Sequence, residues 1–117
     1  MLNRLNRLKK RYQFNYVYKS GEFYSQEHIC LHAVSSKTKN IKVGFAVTKK
    51  IGHAVVRNRV RRQLREILQK HIPNLKQNYN IIVVAKENIT QTNFQALCIE
   101  MEKLLTKANL FKDEENI

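Results

Sequence analysis

The sequence predicts a single α+β domain, a two-layer sandwich in which helices pack against one sheet. The chain has 117 residues, which is enough for one hydrophobic core but not for a second of useful size. Hydrophobic residues make up 43% of it, with only three Gly and one Pro, as is typical of a folded chain. Helical and alternating apolar patterns follow one another in the order helix, two or three strands, helix, strand, helix. We therefore treat residues 1–117 as one domain.

The amino end is predicted to be a basic arm that leads into a short helix. The arm covers residues 1–9, and the first 21 residues contain six Lys or Arg and no acidic residue. Gly21 ends the helix, which begins at Lys10. A period of 3.6 residues gives this helix two faces, one with Phe14, Val17 and Tyr18 and the other with Tyr12 and Tyr16.

Two strands are predicted after the first helix. Residues 27–34 alternate, with Ile29, Leu31 and Ala33 on one face, and the polar residues 35–40 form a turn. The second strand has an apolar face made of Ile41, Val43, Phe45 and Val47. We expect the two strands to pair as a hairpin. The other face of the second strand is small or cationic, an open surface for a flat, anionic ligand: Lys42, Gly44, Ala46, Thr48 and Lys50.

The rest of the chain predicts a helix, a strand and a helix. A helix from about Ala54 to His71 follows Gly52, and Pro73 ends it. The continuous apolar run 79–85 indicates an interior strand, and Thr92 with Gln95 offers a capping box for the last helix. The apolar stripes are Val56, Val60, Leu64, Ile67 and Leu68 in the first helix, and Phe94, Leu97, Cys98, Met101, Leu104, Leu105 and Ala108 in the last. Residues 112–117 are expected to fray.

The net charge is the first indication of function. The chain carries +13 at pH 7 with a pI near 10.1, which indicates a polyanionic partner such as nucleic acid, an anionic membrane surface or a heparin-like polymer. No segment has the roughly 20 apolar residues that cross a bilayer, and the start lacks the apolar core of a signal peptide. We therefore expect a cytoplasmic protein without a membrane partner. Cys30 and Cys98 form no CxxC pair and are expected to be reduced thiols.

The middle helix carries a run of arginines beside its apolar stripe. Arg57, Arg61 and Arg65 recur every four residues, and Asn58 and Arg62 lie on the same arc. From residue 47 to residue 71 there are eight Lys or Arg and one acidic residue, so ion pairing within the helix cannot be their main role. The arginines are therefore predicted to contact successive phosphates of a folded RNA. Arg59 projects elsewhere, and the sequence leaves open whether it contacts another phosphate or pairs with Glu66.

The segment KKIGHAVVRNRVRRQLRE, residues 49–66, resembles the arginine-asparagine-arginine motif region of the bacterial ribonuclease P protein family. The resemblance covers roughly residues 7 to 110 and includes RLKKRYQFNYVYKSG, VGFAVTKK and IIVVAK. It implies a compact fold with a left-handed βαβ crossover, in which the motif helix binds the catalytic RNA subunit. The residues that match the motif, here called the basic ridge, are Arg57, Asn58, Arg59, Arg61, Arg62 and Arg65.

The resemblance also implies a cleft between the first helix and the sheet that receives the single-stranded 5′ leader of precursor tRNA. The matching residues, here called the leader cleft, are Phe14, Tyr18, His32, Ala46, Thr48, Lys49 and Lys50. Without the resemblance, aromatic residues spaced as Phe14 and Tyr18 are more often part of a core. His32 departs from the family, in which Tyr or Phe is common there, and its stacking on a base would depend on pH.

The reaction implied by the resemblance is removal of the leader by the ribonuclease P holoenzyme, an endoribonuclease. Catalysis and Mg²⁺ would belong to the RNA subunit, with no catalytic side chain and no metal site in this chain. His28, Cys30 and His32 share a strand face, but such positions lie about 6.5–7 Å apart and no fourth ligand is evident, so no zinc site is predicted. Two other functions remain open: a generic RNA-binding or ribosomal-type protein, and a protein-only hydrolase of a phosphate ester.

Overall fold

The structure is a computed structural model that describes residues 6–112, and over this range it contains three helices and one four-stranded sheet. In chain order the elements are α1 (Arg11–Ser20), β1 (Glu22–Ser25), β2 (Ile29–Ser35), β3 (Lys42–Ala46), α2 (Ala54–Gln69), β4 (Tyr79–Ala85) and α3 (Phe94–Lys107). The predicted α+β class and element order are confirmed. The optional third strand of the prediction is β1.

The sheet has the order β1-β2-β4-β3. The predicted interior strand is confirmed, because β4 lies between β2 and β3, antiparallel to the first and parallel to the second. The predicted hairpin of β2 and β3 is therefore wrong. Both strands were located by their alternation, but alternation reports which face is buried and not which strand is the neighbour.

α2 connects the two parallel strands β3 and β4, so these three elements form a βαβ unit. Such a unit agrees with the crossover that the resemblance implies, and its left-handed sense stays a prediction of that resemblance. α2 ends two residues before the predicted limit at His71, and a 3-10 turn, Ile72–Asn74, contains the helix-ending Pro73.

The main core lies between one face of the sheet and the helices α2 and α3. The predicted stripe of α2 is buried at Val60, Leu64, Ile67 and Leu68, with Val56 packed against it. The α3 stripe is buried at Leu97, Met101, Leu104 and Leu105, with Phe94, Cys98 and Ala108 packed against it. Asn93 caps the start of α3, because its side chain accepts a hydrogen bond from Ala96 N at 2.8 Å. The predicted capping box of Thr92 and Gln95 is therefore wrong.

α1 lies on the opposite face of the sheet. Val17 is fully buried there together with Ile82 of β4 and Leu8 of the preceding segment. Phe14, Val34, Ala46 and Val84 pack against these three residues without being fully covered. Since α1 is short, it covers only part of this face, and the remainder stays accessible beside the helix.

The ends of the described range are fixed to the rest of the molecule. Arg7 forms an isolated parallel bridge with Val43, and Leu8 N donates to Val43 O at 2.9 Å, so the end of the basic arm lies along the free edge of β3. Lys112 N donates to Asn74 O at 2.9 Å. The other residues of the predicted arm and frayed tail, 1–5 and 113–117, lie outside the described residues. No helix within residues 6–112 has both the length and the apolar character needed to cross a membrane.

Candidate nucleic-acid interface

The basic ridge lies along one side of α2, at the border between the buried stripe and solvent. Arg57, Arg61 and Arg65 are half-buried, so their stems pack against the protein while their guanidinium groups reach the surface. Asn58, Arg59 and Arg62 are exposed. The helix thus presents all six predicted residues at or near its surface, in an arrangement about two turns long.

Three arginines of the basic ridge are held by neutral partners. Arg57 Nε donates to Gly52 O at 3.2 Å, and Arg61 donates to Asn58 Oδ1 at 3.0 Å. The Arg65 guanidinium lies 5.9 Å from the centre of the Phe45 ring. A guanidinium has five N–H donors, and these contacts use at most one of them. Each group is therefore oriented while most of its donors remain available to an anion.

No carboxylate neutralises the basic ridge within the described part of the chain. The two ion pairs found there are His28–Glu100 and Lys50–Glu87, neither of which includes a residue of the basic ridge. The pairing of Arg59 with Glu66 that the sequence left open is not formed. Without this ion pair, the exposed side chain of Arg59 is able to contact a separate phosphate.

The leader cleft lies on the α1 face of the sheet. Phe14 is half-buried, and its ring fills the space that a side chain on Gly44 would occupy. Gly44 is therefore required by this close approach, which brings an aromatic ring of α1 onto β3. Phe14 contributes to the small core under α1 and also lines the surface beside β3, while its part in leader binding stays a prediction.

A group of three aromatic rings continues the leader cleft toward β1. His32 lies between Tyr18 and Phe23, with ring centres 4.8 Å and 4.9 Å away. The Tyr18 contact is edge-on, and both Tyr18 and Phe23 remain exposed, at 42% and 57%. Strand register places Phe23, His32, Ile82 and Gly44 in one row across all four strands.

Phe23 belongs to this group of rings and was not predicted from the sequence. Its strand, β1, has only four residues and no buried position, so it gives no clear periodic signal. The sequence feature that could have indicated it is a large aromatic residue two positions after Gly21, where α1 ends. The structure adds Phe23 to the leader cleft because of its contact with His32.

Partial burial changes the titration of two rings in this group. Desolvation lowers the pKa of His32 and raises the pKa of Tyr18. His32 is therefore neutral at pH 7, and it can stack on a base or exchange hydrogen bonds without adding positive charge.

The cationic end of the leader cleft follows β3. Ala46 lies in the next row of the sheet, beside Val84 and Cys30, and provides a flat floor. Thr48, Lys49 and Lys50 are exposed at the start of the 3-10 turn that leads to α2. Lys50 lies 3.8 Å from Glu87, but both side chains are more than two-thirds exposed, so this pair contributes little.

The basic ridge and the leader cleft meet at the free edge of β3. A groove of about 250 Å³ is lined there by Phe14 and Gly44 on the side of the leader cleft and by Arg61 and Arg65 on the side of α2. The two predicted surfaces are thus neighbours, joined around one edge strand. A ligand bound to one of them would lie close to a ligand bound to the other.

The described residues do not form a metal site. No group of three or more His, Cys, Asp or Glu side chains that could hold an ion occurs within residues 6–112. Glu100 is the buried carboxylate of this range, and it binds the main chain and the ring of His28. His28 therefore has a structural partner.

Comparisons with known proteins agree on one family. The Ribonuclease P family profile matches residues 2–109. A ribonuclease P protein component from Caldanaerobacter subterraneus is 36% identical over 98% of this chain and 99% of its own length. The protein component from Natranaerobius thermophilus is 35% identical over 90% and 91%. The structure is also similar to that of the Staphylococcus aureus RNase P protein, with a TM-score of 0.85 and 27% identity over 92% of this chain and 98% of that one.

Proposed function

Because this chain belongs to the bacterial ribonuclease P protein family, we propose that its two joined surfaces bind two different RNAs. The chain is a protein subunit of ribonuclease P, the enzyme that matures the 5′ end of tRNA. In our proposal the basic ridge binds the catalytic RNA subunit, and the leader cleft binds the 5′ leader of precursor tRNA. The protein would act in the cytoplasm, beside its RNA partners.

The observation that carries the first half of the proposal is the anchoring of Arg57, Arg61 and Arg65 by uncharged partners. A guanidinium held in place loses less entropy when it binds a phosphate, and its planar donors suit two oxygens at once. The groups recur every four residues, about 6 Å along the helix axis. They can therefore contact successive phosphates of one RNA strand.

The second half of the proposal is supported by the chemistry of the leader cleft. Single-stranded RNA is bound by exposed rings that stack on bases and by cations that contact the backbone. Tyr18 and Phe23 provide exposed rings, and Lys49 and Lys50 provide cations at the end of β3. Mature tRNA has no leader, so a ligand held here distinguishes precursor from product.

We place the chemical step in the RNA subunit, together with its Mg²⁺. Magnesium requires oxygen ligands, and the carboxylates of residues 6–112 are not grouped to supply them. We therefore assign no step of hydrolysis to a side chain of this protein. Its residues bind the two RNAs, orient the leader relative to the RNA subunit, and neutralise phosphate charge where the RNAs approach each other.

The proposal is tested by cleavage of precursor tRNA at low Mg²⁺ with the cognate RNA subunit. Wild-type protein is expected to stimulate cleavage, and the variant Arg57→Ala, Arg61→Ala, Arg65→Ala is expected to lose that stimulation. The matched control is Lys103→Ala, Lys107→Ala, Lys112→Ala, which removes the same charge from exposed positions on and after α3. The control is expected to stimulate as the wild type does.

Each outcome decides a different point. No stimulation by the wild type would favour a generic RNA-binding protein. Equal loss in the ridge variant and in the control would mean that net charge, rather than the basic ridge, carries binding. Cleavage that persists after nuclease removes the RNA subunit would indicate a protein-only hydrolase.

A further inference from the structure

A second groove lies on the exposed side of α2, in the second half of the helix. It has a volume of about 240 Å³ and is here called the Glu66 groove. Its lining residues are Arg62, Arg65, Glu66 and Gln69. The two arginines belong to the basic ridge, and Glu66 is the only acidic residue of α2. The basic ridge therefore ends beside a single carboxylate.

The carboxylate of Glu66 is available to a ligand. Positions four residues apart are neighbours on a helix surface, so Arg62 is the nearest cation along α2 that could pair with Glu66. In the part of the chain that the structure describes, Glu66 forms no ion pair with this or any other cation. The guanidinium of Arg65 instead lies 5.9 Å from the centre of the Phe45 ring. The exposed carboxylate oxygens thus remain open to a hydrogen-bond donor from outside the protein.

A carboxylate in this position needs a reason on a surface that binds RNA. It repels phosphate oxygens, but its two oxygens can accept two parallel hydrogen bonds from a base. Guanine is the base whose Watson–Crick edge places two donors side by side, N1–H and N2–H. In adenine, cytosine and uracil, each donor on that edge has an acceptor beside it. A carboxylate between cations therefore favours guanine over the other three bases.

We propose that the Glu66 groove binds an unpaired guanine of the RNA subunit, with Glu66 accepting hydrogen bonds from N1–H and N2–H. The inference rests on the proposed function, because the basic ridge is what brings the RNA subunit to α2. The guanine is unpaired, since pairing with cytosine would use the same two donors. Arg62 and Arg65 supply donors for guanine O6 and for the phosphate of that nucleotide. The groove is smaller than pockets that enclose drug-sized ligands, so it suits a single base.

The position of Glu66 favours the RNA subunit over the leader as the source of this guanine. α2 packs against the main core, on the face of the sheet opposite α1 and the leader cleft. Neither Glu66 nor Gln69 lines the 250 Å³ groove that joins the basic ridge to the leader cleft. A leader beside α1 is therefore separated from Glu66 by the sheet, whereas RNA on the basic ridge lies next to it.

The test measures the affinity of Glu66→Gln for the RNA subunit. An amide has one acceptor oxygen and turns a donor toward the guanine, so we expect the dissociation constant to rise about five- to 150-fold, the loss of one bidentate contact with a base. If Glu66 is only a solvated acid, removal of its negative charge leaves binding unchanged or strengthens it, and the inference is overturned. The matched control, Glu102→Gln, makes the same change of charge at an exposed position of α3. It is expected to bind as the wild type does or slightly more tightly.

Kethoxal, which adds to N1 and N2 of unpaired guanines, identifies the base. With protein in excess, we expect one guanine of the RNA subunit to be protected by the wild type and to react in the complex with Glu66→Gln. Hydroxyl-radical protection of the RNA backbone should be the same in both complexes. Replacing that guanine by adenine should weaken binding of the wild type and leave binding of Glu66→Gln unchanged. Equal weakening in both proteins would show that Glu66 does not bind this guanine, and no Glu66-dependent guanine at all would also overturn the inference.

The ridge variant Arg57→Ala, Arg61→Ala, Arg65→Ala, measured in parallel, separates this inference from the proposed function. If the ridge variant loses affinity while Glu66→Gln does not, the inference is overturned and the proposed function stands. If neither variant loses affinity, the proposed function fails as well. Thermal unfolding checks the fold of each protein. Glu66 is exposed, so Glu66→Gln is expected to unfold at the same temperature as the wild type.

Discussion

The ring of Phe14 occupies the space that a side chain on Gly44 would need. A Cβ built on Gly44 would lie 2.5 Å from Cζ of this ring, well inside van der Waals contact. We therefore expect Gly44→Ala to displace Phe14 and to lower the free energy of unfolding by about 1 to 3 kcal/mol. Binding of precursor tRNA should weaken more than binding of mature tRNA. Urea unfolding and the two binding constants measure these effects.

The double variant Gly44→Ala, Phe14→Leu separates the two effects. The smaller side chain at position 14 leaves room for the new Cβ, so stability is expected to recover in part. Leader binding is expected to stay weak, because leucine cannot stack as an aromatic ring does. If Gly44→Ala unfolds and binds as the wild type does, Phe14 does not lie on β3 as described.

Tyr18 and Tyr16 provide a matched pair of exposed tyrosines on opposite faces of α1. Tyr18→Ala is expected to cost about 1 to 3 kcal/mol of binding free energy for precursor tRNA, since it removes one stacking ring. Tyr16→Ala removes a ring of similar exposure that points away from the leader cleft, and it should leave binding unchanged. Competition binding in the assembled holoenzyme makes the comparison. Equal losses in the two variants would count against a specific cleft.

His28 and Glu100 hold α3 against the segment that precedes β2. Glu100 accepts from His28 N at 2.7 Å and its other oxygen contacts His28 Nδ1 at 2.6 Å, in a largely buried position. Glu100→Ala leaves the His28 main-chain donor unpaired, so we expect a loss of about 1 to 3 kcal/mol in the free energy of unfolding. Glu102→Ala, at an exposed position of the same helix, should change it by less than about 0.5 kcal/mol.

The lowered pKa of His32 predicts how the free energy of unfolding depends on pH. Burial lowers its pKa in the folded protein below the unfolded value of 6.5. Between those two pKa values the unfolded chain binds the proton more readily, so stability falls as the pH drops below about 6.5 and levels off once the folded pKa is passed. The unfolding free energy of His32→Phe should therefore decrease less between pH 7 and pH 5 than that of the wild type. An identical decrease in both proteins would show that His32 does not contribute.

Much of the fold followed from periodicity in the sequence. The stripes of α2 and α3 and the buried face of β2 were correctly assigned, because each has enough apolar residues to define one buried side. Strand pairing was not determined in this way. One neighbour of β2 is β4, about 50 residues further along the chain. The continuous apolar pattern of β4 reports burial on both faces and not the identity of its neighbours.

For similar reasons, the sequence alone predicted one part of the candidate site and not the other. The basic ridge depends only on helical spacing within α2, so its layout could be derived from local sequence. The leader cleft depends on α1, β2 and β3 meeting in space, and it was placed by family resemblance. Phe23 comes from a four-residue strand, and its position follows from tertiary contacts that no local pattern encodes.

The central position of β4 also determines when the sheet can form during synthesis. β2 and β3 have no edge in common and must wait for residues 79–85, so neither can complete its main-chain pairing as it leaves the ribosome. At typical elongation rates the interval from the end of β2 to the arrival of β4 lasts roughly 2 to 9 seconds. The arginine-rich segment of α2 is synthesised within this interval, so it is exposed before the core that supports it has closed. A nascent chain of this kind would meet RNA before it is folded, and its cognate RNA would then favour the closed sheet by binding the finished surface.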